Sequence, residues 1–171
     1  ITVLSGNVHG YNLAFQHSWL RRYFNEADVV RLDGAGVRLG ARILGYRTPP
    51  RMTWADFGWD LACMAAEHGL RLYLLGSREG VAANAAEKLQ DRFPALKIAG
   101  THHGYFDKDA GSSENEDIIR MINASIADIL IVGFGMPLQE RWLSENRERL
   151  QVPVVMTGGA VFDYLSGEKR R

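Results

Sequence analysis

The sequence contains a single cysteine, Cys63, and therefore cannot form a disulfide bond within the chain. Disulfides persist in oxidising compartments, so this scarcity fits a reducing one. The longest apolar run, around residues 129–132, is far too short to span a bilayer, and Ile1 leads directly into a strand-like segment rather than a signal peptide. We therefore expect a cytoplasmic protein, with Cys63 as a small buried thiol on a helix.

The sequence also lacks an excess of charge of either sign. Lysine and arginine together number 20, as do aspartate and glutamate. A neutral chain has no overall field that attracts nucleic acid or an anionic membrane, so we expect no nucleic-acid partner. One local basic cluster occurs, at residues 169–171.

Two phosphate-binding signatures are absent as well. Neither residues 34–36 nor residues 133–135 have the third glycine of a dinucleotide-binding G-x-G-x-x-G in register. No Walker A loop occurs. These absences count against an NAD-dependent dehydrogenase and against a P-loop NTPase.

The order of the remaining patterns predicts the fold. The chain has 171 residues, 46% of them hydrophobic and 23% charged, which is typical of one soluble domain. Short β-branched runs alternate with helical patterns; we predict strands at residues 2–4, 28–32, 72–75, 97–100, 128–132 and 154–156. Such alternation favours a mainly parallel sheet covered on both faces. We therefore predict an α/β, Rossmann-like single domain over residues 1–171, with about six strands and helices on both faces.

Two apolar stripes at helical spacing are expected to face the core. The first, which ends before Pro94, consists of Val81, Ala85, Leu89 and Phe93. The second consists of Ile118, Ile119, Ile122 and Ile126. The polar stretch at residues 107–116 is predicted to be a surface loop.

Glycines and small polar residues follow most of the predicted strands. They lie in the segments 5–7, 33–36, 76–77, 133–140 and 157–159. In an open parallel sheet, ligands bind at the carboxyl ends of the strands, and glycines let backbone N–H groups approach a phosphate closely. This pattern fits a ligand that carries a diphosphate, although a glycine at such a turn is also required by geometry alone.

Asp33 is the carboxylate with the most informative position. It follows a predicted strand and precedes glycines, so it should emerge at the functional edge of the sheet. A carboxylate there can accept a proton from an attacking hydroxyl. Asp is equally suited to cap the next helix, and the spacing alone does not separate the two roles.

Two other groups resemble metal ligands. Asp107 and Asp109 form a D-x-D pair, an arrangement that can hold a metal on a diphosphate, but they lie in a polar loop away from the glycine-rich turns. His102 and His103 are adjacent, and on a strand they would point to opposite faces. We expect no metal site from either pair.

The longer motifs occur in a recognisable order. They are Ser5-Gly6-Asn7, Asp33-Gly34-Ala35-Gly36, Arg51-Met52-Thr53, Gly100-Thr101-His102-His103-Gly104-Tyr105-Phe106, the G-x-P-x-Q-E-x-W element at residues 135–142, and Gly158-Gly159-Ala160-Val161-Phe162-Asp163. With these motifs the chain resembles the WecG/TagA/CpsF glycosyltransferase family nearly end to end. The elements at residues 100–106 and 135–142 are the most specific.

The resemblance implies an enzyme that moves a hexose-type sugar from a UDP-sugar to a polyprenyl-diphosphate-linked acceptor, with inversion at the anomeric carbon. The sugar would be N-acetylmannosamine, its uronic acid or glucose, and the products would be cell-envelope polysaccharides such as exopolysaccharide. The resemblance implies no metal and no other cofactor, with the UDP-sugar acting as co-substrate. A nucleotide-sugar-binding module without catalysis, or an unrelated nucleotide-dependent Rossmann-like enzyme, remains an alternative.

The resemblance also assigns roles to individual residues. Asp33 matches the proposed catalytic base. The residues expected to bind substrate are Ser5, Asn7, Arg51, Gly76, Ser77, Gly135, Gln139, Glu140, Gly158, Gly159 and Asp163. Among them, Asn7 and Gln139 would orient the sugars, Arg51 and the backbone N–H groups of the glycine turns would bind the diphosphate, and Asp163 would contact the uridine.

The sequence departs from the family pattern at several positions. Ser5 replaces a usual Thr, Trp54 a frequent Gly, and Leu138 a frequent Lys or Arg. Family members continue beyond the position of Arg171 into a basic tail that is believed to contact the membrane. We therefore expect the full-length protein to lie peripherally on the inner face of the plasma membrane; a homo-oligomer remains open.

Overall fold

The computed structural model describes residues 1–49 and 52–169. Its strands are β1 (Thr2–Gly6), β2 (Val29–Leu32), β3 (Arg71–Gly76), β4 (Lys97–His102), β5 (Ile129–Gly133) and β6 (Val154–Thr157). They form one parallel sheet in the order β2-β1-β6-β5-β3-β4. The predicted fold class is confirmed, and each predicted strand lies within two residues of its observed bounds.

The helices fill the connections between the strands. They are α1 (Val8–Gln16), α2 (Ser18–Glu26), α3 (Ala35–Ile43), α4 (Trp54–His68), α5 (Val81–Arg92), α6 (Ser113–Ala124), α7 (Leu138–Asn146) and α8 (Val161–Leu165), with a short 3₁₀ helix at Arg147–Arg149. Local sequence sets several of their ends. Helix α4 ends at His68 and is followed by the C-cap Gly69, whose φ of 67° is left-handed, and Ser112 caps α6 by accepting a hydrogen bond from the N–H of Asn115.

Alternating side chains of the strands divide the core into two faces. On β3, Leu72 and Leu74 pack against α4, α5 and α8, whereas Tyr73 and Leu75 pack against α6 and α7. Leu4 of β1 belongs to a third cluster with α1 and α2. Helices therefore cover both faces of the sheet, as predicted, and the four inner strands β1, β6, β5 and β3 are largely buried.

The structure corrects three local predictions. Helix α6 spans Ser113–Ala124. The predicted loop at residues 107–116 is therefore shorter than expected. Ile126 was expected to face the core, but it lies beyond the helix, has a φ of 52° and is exposed. Cys63 lies on α4 as expected, but it is half-buried rather than buried.

Among the described residues, no helix combines the length and the apolar character needed to cross a membrane.

Candidate active site at the carboxyl edge of the sheet

A cleft of about 380 Å³ opens at the carboxyl ends of β1, β2 and β6. Six of the predicted site residues line it: Ser5, Asn7, Asp33, Gln139, Gly158 and Gly159. Residues that the sequence analysis did not select complete the lining, namely His9, Thr53, Trp54, Ala55, Met136, Ala160, Val161 and Tyr164. We call this the Asp33 cleft. Segments far apart in sequence meet here because parallel strands bring their carboxyl ends to one edge.

Asp33 follows β2, and its backbone N–H donates to the carbonyl of Gly6, 2.9 Å away. This bond fixes the end of β2 against the end of β1. The N-cap of α3 is Gly34, with a φ of 108°, and not Asp33. The helix-cap alternative for Asp33 is therefore wrong, and its half-buried carboxyl group lies at the cleft.

Asn7 has a structural role that the sequence analysis did not assign. Its Oδ1 accepts a hydrogen bond from the N–H of Gly10 at 2.8 Å and caps α1. The side-chain oxygen is thus engaged within the protein. The amide NH₂ group is the part of Asn7 that can donate to a sugar.

A buried polar network forms the floor of the cleft, and its centre is Arg31. The guanidinium Nη2 donates to Ser5 Oγ at 2.7 Å, and the Ser5 hydroxyl donates to the carbonyl of Thr157 at 3.0 Å. Trp54 Nε1 donates to the same carbonyl at 2.8 Å, and its ring lies 4.4 Å from the guanidinium carbon of Arg31. Burial lowers the pKa of Arg31 to about 10, and the charge of Asp33 acts in the opposite direction.

Arg31 was missed in the sequence analysis. The available signal was a charged residue inside the apolar run of β2, two positions before Asp33. A charged side chain in such a strand must be paired or hydrogen-bonded, because leaving it unpaired in the interior is costly. Arg31 places a cation beneath a cleft that also contains the Asp33 carboxylate.

Gln139 connects two glycine turns of the site. Its Oε1 accepts hydrogen bonds from the N–H groups of Gly135 at 3.3 Å and Gly159 at 2.9 Å. Both glycines have left-handed φ values, 83° and 57°, which a glycine adopts without strain. The side chain of Gln139 thus holds the turn after β5 against the turn after β6.

Glu140 lies behind Gln139 and not in the cleft. It is completely buried, and its Oε1 accepts a 2.7 Å hydrogen bond from Gln139 Nε2. Its Oε2 has no hydrogen-bond partner within the described residues. Burial raises the pKa of Glu140 to about 7, although the hydrogen bond from Gln139 opposes this rise. Glu140 therefore does not line the Asp33 cleft and is connected to it through Gln139, so its predicted contact with substrate stays a prediction.

The expected diphosphate donors are also engaged within the protein. Besides Gly135 and Gly159, the N–H of Gly158 donates to Val132 at 2.7 Å, and the N–H of Ser77 donates to Gly133 at 3.1 Å. A diphosphate could use the N–H groups of Gly135 and Gly159 only if Gln139 turned away. In this structure, these groups fix the shape of the turns.

A second cleft, of about 570 Å³, lies beside the ends of β3 and β5 and includes Ser77 and Phe134. Gly76 shapes this edge, because a Cβ atom there would lie 2.3 Å from the carbonyl oxygen of Gly133. Ser77 Oγ donates to Asp163 Oδ1 at 2.5 Å. Gly76, Ser77 and Asp163 therefore lie near one another but outside the lining of the Asp33 cleft.

The charge of Asp163 is stabilised locally. Its Oδ2 lies 2.9 Å from Lys169 Nζ. Burial alone would raise the pKa of Asp163, but the hydrogen bonds from Ser77 and Lys169 and the positive charges of Lys169 and Arg78 outweigh it, so that the pKa lies below its usual value. Asp163 is thus ionised at neutral pH.

The two pairs that resemble metal ligands have local contacts. Asp107 Oδ1 accepts from the N–H of Asp109 at 3.0 Å, an arrangement within the loop. His102 is the last residue of β4 and His103 lies beyond it, with the two rings 4.3 Å apart, so the alternation of two residues on one strand does not apply to this pair. Among residues 1–49 and 52–169, no group of three or more His, Cys, Asp or Glu side chains could hold a metal ion. Arg51 lies outside the described residues.

The fold and the cleft define an α/β protein whose ligand site lies at the carboxyl edge of a parallel sheet. The model of the glycosyl transferase WecG/TagA/CpsF family matches residues 1–171, and the chain belongs to this family. The chain is also similar to the N-acetylglucosaminyldiphosphoundecaprenol N-acetyl-beta-D-mannosaminyltransferases of Staphylococcus aureus strains NCTC 8325 / PS 47 and COL. Each is 27% identical over 99% of this chain. The chain spans 64% of the length of these relatives.

Proposed function

We propose that this protein is an inverting glycosyltransferase that moves a hexose-type sugar from a UDP-sugar to a lipid-diphosphate-linked acceptor in cell-envelope polysaccharide synthesis. The observation that carries the proposal is the convergence of Asp33, Asn7 and Gln139 on one cleft in a chain of this family. Among the candidate sugars, the relatives favour N-acetylmannosamine, because their name describes its transfer to a lipid diphosphate.

The proposed reaction is a single displacement. Asp33 accepts the proton of the acceptor hydroxyl while that oxygen attacks the anomeric carbon of the donor, and the bond to UDP breaks on the opposite face. General-base catalysis of this kind contributes typically about 10²–10⁴-fold. Asn7 would orient a sugar through its amide NH₂ group, and Gln139 would act mainly by fixing the two glycine turns that border the cleft.

Negative charge grows on the departing diphosphate, and cations close to it favour the transition state. Arg51 is the proposed direct contact. Arg31, buried beneath the cleft, contributes a positive potential without an exposed donor. Ser77 and the ionised Asp163 lie farther along the same sheet edge, where we place the nucleoside of the donor, with Asp163 as an acceptor for the uridine.

We propose, as the family resemblance implies, that the reaction needs no metal ion or other cofactor. Its partners are the UDP-sugar and the lipid-linked acceptor. The acceptor is anchored by its lipid, so the enzyme must work at a membrane surface, which we place at the inner face of the plasma membrane.

The direct test is a screen of UDP-sugars with a synthetic lipid-diphosphate acceptor, in which sugar transfer and the anomeric configuration of the product are measured. UDP-N-acetylmannosamine is expected to react and to give the inverted product. A product of retained configuration would contradict the displacement mechanism. If UDP bound but no donor reacted, the result would contradict an enzyme and would support a nucleotide-sugar-binding module.

A further inference from the structure

Helix α3 exposes its largest apolar side chains. It has no buried residue, and Leu39 and Ile43 are 62% and 76% exposed. These two residues are four positions apart and are therefore neighbours on one side of the helix. Leu44 and Tyr46 directly after the helix are exposed as well. Contiguous exposed apolar side chains of this kind mark an interaction surface.

Helix α3 begins next to the Asp33 cleft. Helix α3 begins two residues after Asp33, and its first turn meets α1, since a Cβ atom on Gly36 would lie 2.8 Å from Val8 Cγ2. Val8 and Phe15 of α1 are themselves exposed. The two helices follow Asn7 and Asp33, which both line the cleft.

The charge of this region has one sign. Residues 34–49 contain Arg38, Arg42 and Arg47 but no aspartate or glutamate, although the whole chain is neutral. Arg42 and Arg47 are exposed beside the apolar side chains. Apolar side chains bordered by arginines are typical of helices that lie in the interface of an anionic bilayer. A symmetric contact between two copies would instead bring two positively charged surfaces together.

We propose that Leu39, Ile43, Leu44 and Tyr46, together with Arg42 and Arg47, form a docking face for the surface of an anionic lipid bilayer. The face would hold the opening of the Asp33 cleft at the level where the diphosphate of a lipid-linked acceptor leaves the membrane. Its purpose rests on the proposed function, whereas vesicle binding itself does not.

The test is co-sedimentation of the 171-residue protein with vesicles of phosphatidylcholine alone or mixed with phosphatidylglycerol. Binding is expected with the anionic vesicles, and salt should weaken it because it screens the arginines. The double variant Leu39→Ser/Ile43→Ser should lower the partition coefficient by about tenfold or more, because two apolar side chains are removed from the lipid interface. Arg42→Gln/Arg47→Gln should also lower the partition coefficient and should weaken its salt dependence.

The matched control is Met121→Ser/Ile126→Ser, which removes two exposed apolar side chains near the end of α6. Helix α6 follows the edge strand β4, whereas α3 follows the opposite edge strand β2, so the control should bind vesicles like the wild type. Equal loss of binding in the control and the α3 variant would overturn the docking face. So would a wild-type protein that does not bind anionic vesicles. A dimer in sedimentation velocity that only the α3 variant dissociates, without vesicle binding, would assign the face to a second copy.

An activity measurement separates this inference from the proposed function. With a long-chain acceptor embedded in anionic vesicles, Leu39→Ser/Ile43→Ser should transfer sugar more slowly than the wild type. With a water-soluble short-chain acceptor, the two proteins should be equal. Transfer to the soluble acceptor without vesicle binding would overturn the docking face alone. Vesicle binding as expected, with no transfer to either acceptor, would overturn the function alone.

Discussion

Ser77 and Asp163, 86 residues apart in sequence, are joined by a 2.5 Å hydrogen bond from the Ser77 hydroxyl to Oδ1 of the carboxylate. Ser77 follows β3 directly and has a φ of 60°, which is unusual for a residue other than glycine. Asp163 lies on α8, and its other oxygen is paired with Lys169. The bond fixes α8 at the carboxyl edge of β3 and keeps an ionised carboxylate at the proposed nucleoside site.

We predict that UDP binds this protein and that ADP, GDP and NAD bind much more weakly, and that Asp163→Asn removes most of this preference. Asn keeps an oxygen for the Ser77 hydroxyl but loses the negative charge. A hydrogen bond to a charged group contributes about 1.5–3 kcal/mol, so UDP affinity should fall by roughly 10- to 100-fold. Calorimetric titration measures both effects, with Asp60→Asn, an exposed carboxylate on α4, as the control. Equal affinity of the wild type for ADP and UDP would contradict a uridine-specific site.

We predict that Asp33→Asn abolishes most sugar transfer and leaves UDP affinity nearly unchanged. Asn has the size of Asp but cannot accept the proton of the acceptor, so the rate should fall by roughly 10²–10⁴-fold. Because Gly34 and not Asp33 caps α3, the loss cannot be attributed to a lost helix cap. The transfer rate is compared with that of Asp91→Asn, an exposed carboxylate on α5, after thermal melts show that both variants are folded. Turnover like that of the wild type in a folded Asp33→Asn variant would remove Asp33 from the mechanism.

The strands and the cleft could be predicted from the sequence because their signals are local. β-Branched runs ending in glycine or small polar residues identify parallel strands, and parallel strands place Ser5, Asp33 and Gly158 at one edge without further information. The predicted helical stripe of α6 was right for Ile118 but failed for Ile126, because periodicity does not reveal where a helix ends.

The features that were missed depend on packing between distant segments. The stacking of Arg31 on Trp54 joins β2 to α4, and nothing local in either segment indicates the partner. Similarly, nothing local in the sequence of α3 indicates that Leu39 and Ile43 face outward. The burial of Glu140 behind Gln139 follows from how α7 packs, whereas the motif at residues 135–142 had placed both residues in the site.

We predict that EDTA leaves the transfer reaction largely intact. The D-x-D pair is the best candidate for a metal site, and Asp107 is already engaged with the N–H of Asp109 and, through its own N–H, with Glu114. The transfer rate is measured with and without chelator, and then after addition of Mg²⁺ or Mn²⁺. A loss of activity that these ions restore would identify the loop as a metal site, and Asp107→Asn should then reproduce the loss.

Glu140 is a buried carboxyl group whose protonation is coupled to folding. Its pKa rises from an ordinary 4.5 to about 7, so the folded state binds a proton that the unfolded state has already released between these pH values. The bound proton therefore contributes to the free energy of unfolding. This contribution is fully present below about pH 4.5 and is lost as the pH rises through 7. Burial likewise raises the pKa of the neighbouring Tyr23 phenol, which the charge of Glu140 raises further, so Tyr23 stays neutral throughout this range.

We predict that the stability of Glu140→Gln rises relative to that of the wild type as the pH increases from 5 to 8. Gln accepts the hydrogen bond from Gln139 as Glu does, but it never acquires the buried charge. The difference in unfolding free energy between variant and wild type should therefore change by roughly 2–3 kcal/mol over this range and then remain constant. Any cost of burying the new amide NH₂ group changes this difference by the same amount at every pH. Groups that titrate alike in the two proteins cancel in the difference. Urea unfolding of both proteins at pH 5, 6, 7 and 8 measures the difference.

Glu140→Met, which cannot accept the hydrogen bond, should show the same pH dependence of stability as Glu140→Gln. Its sugar transfer should be slower, because Gln139 no longer holds the turns at Gly135 and Gly159 in place. Parallel stability curves for wild type and Glu140→Gln would mean that Glu140 is ionised in the folded protein, and the buried carboxyl would then need a cation as partner.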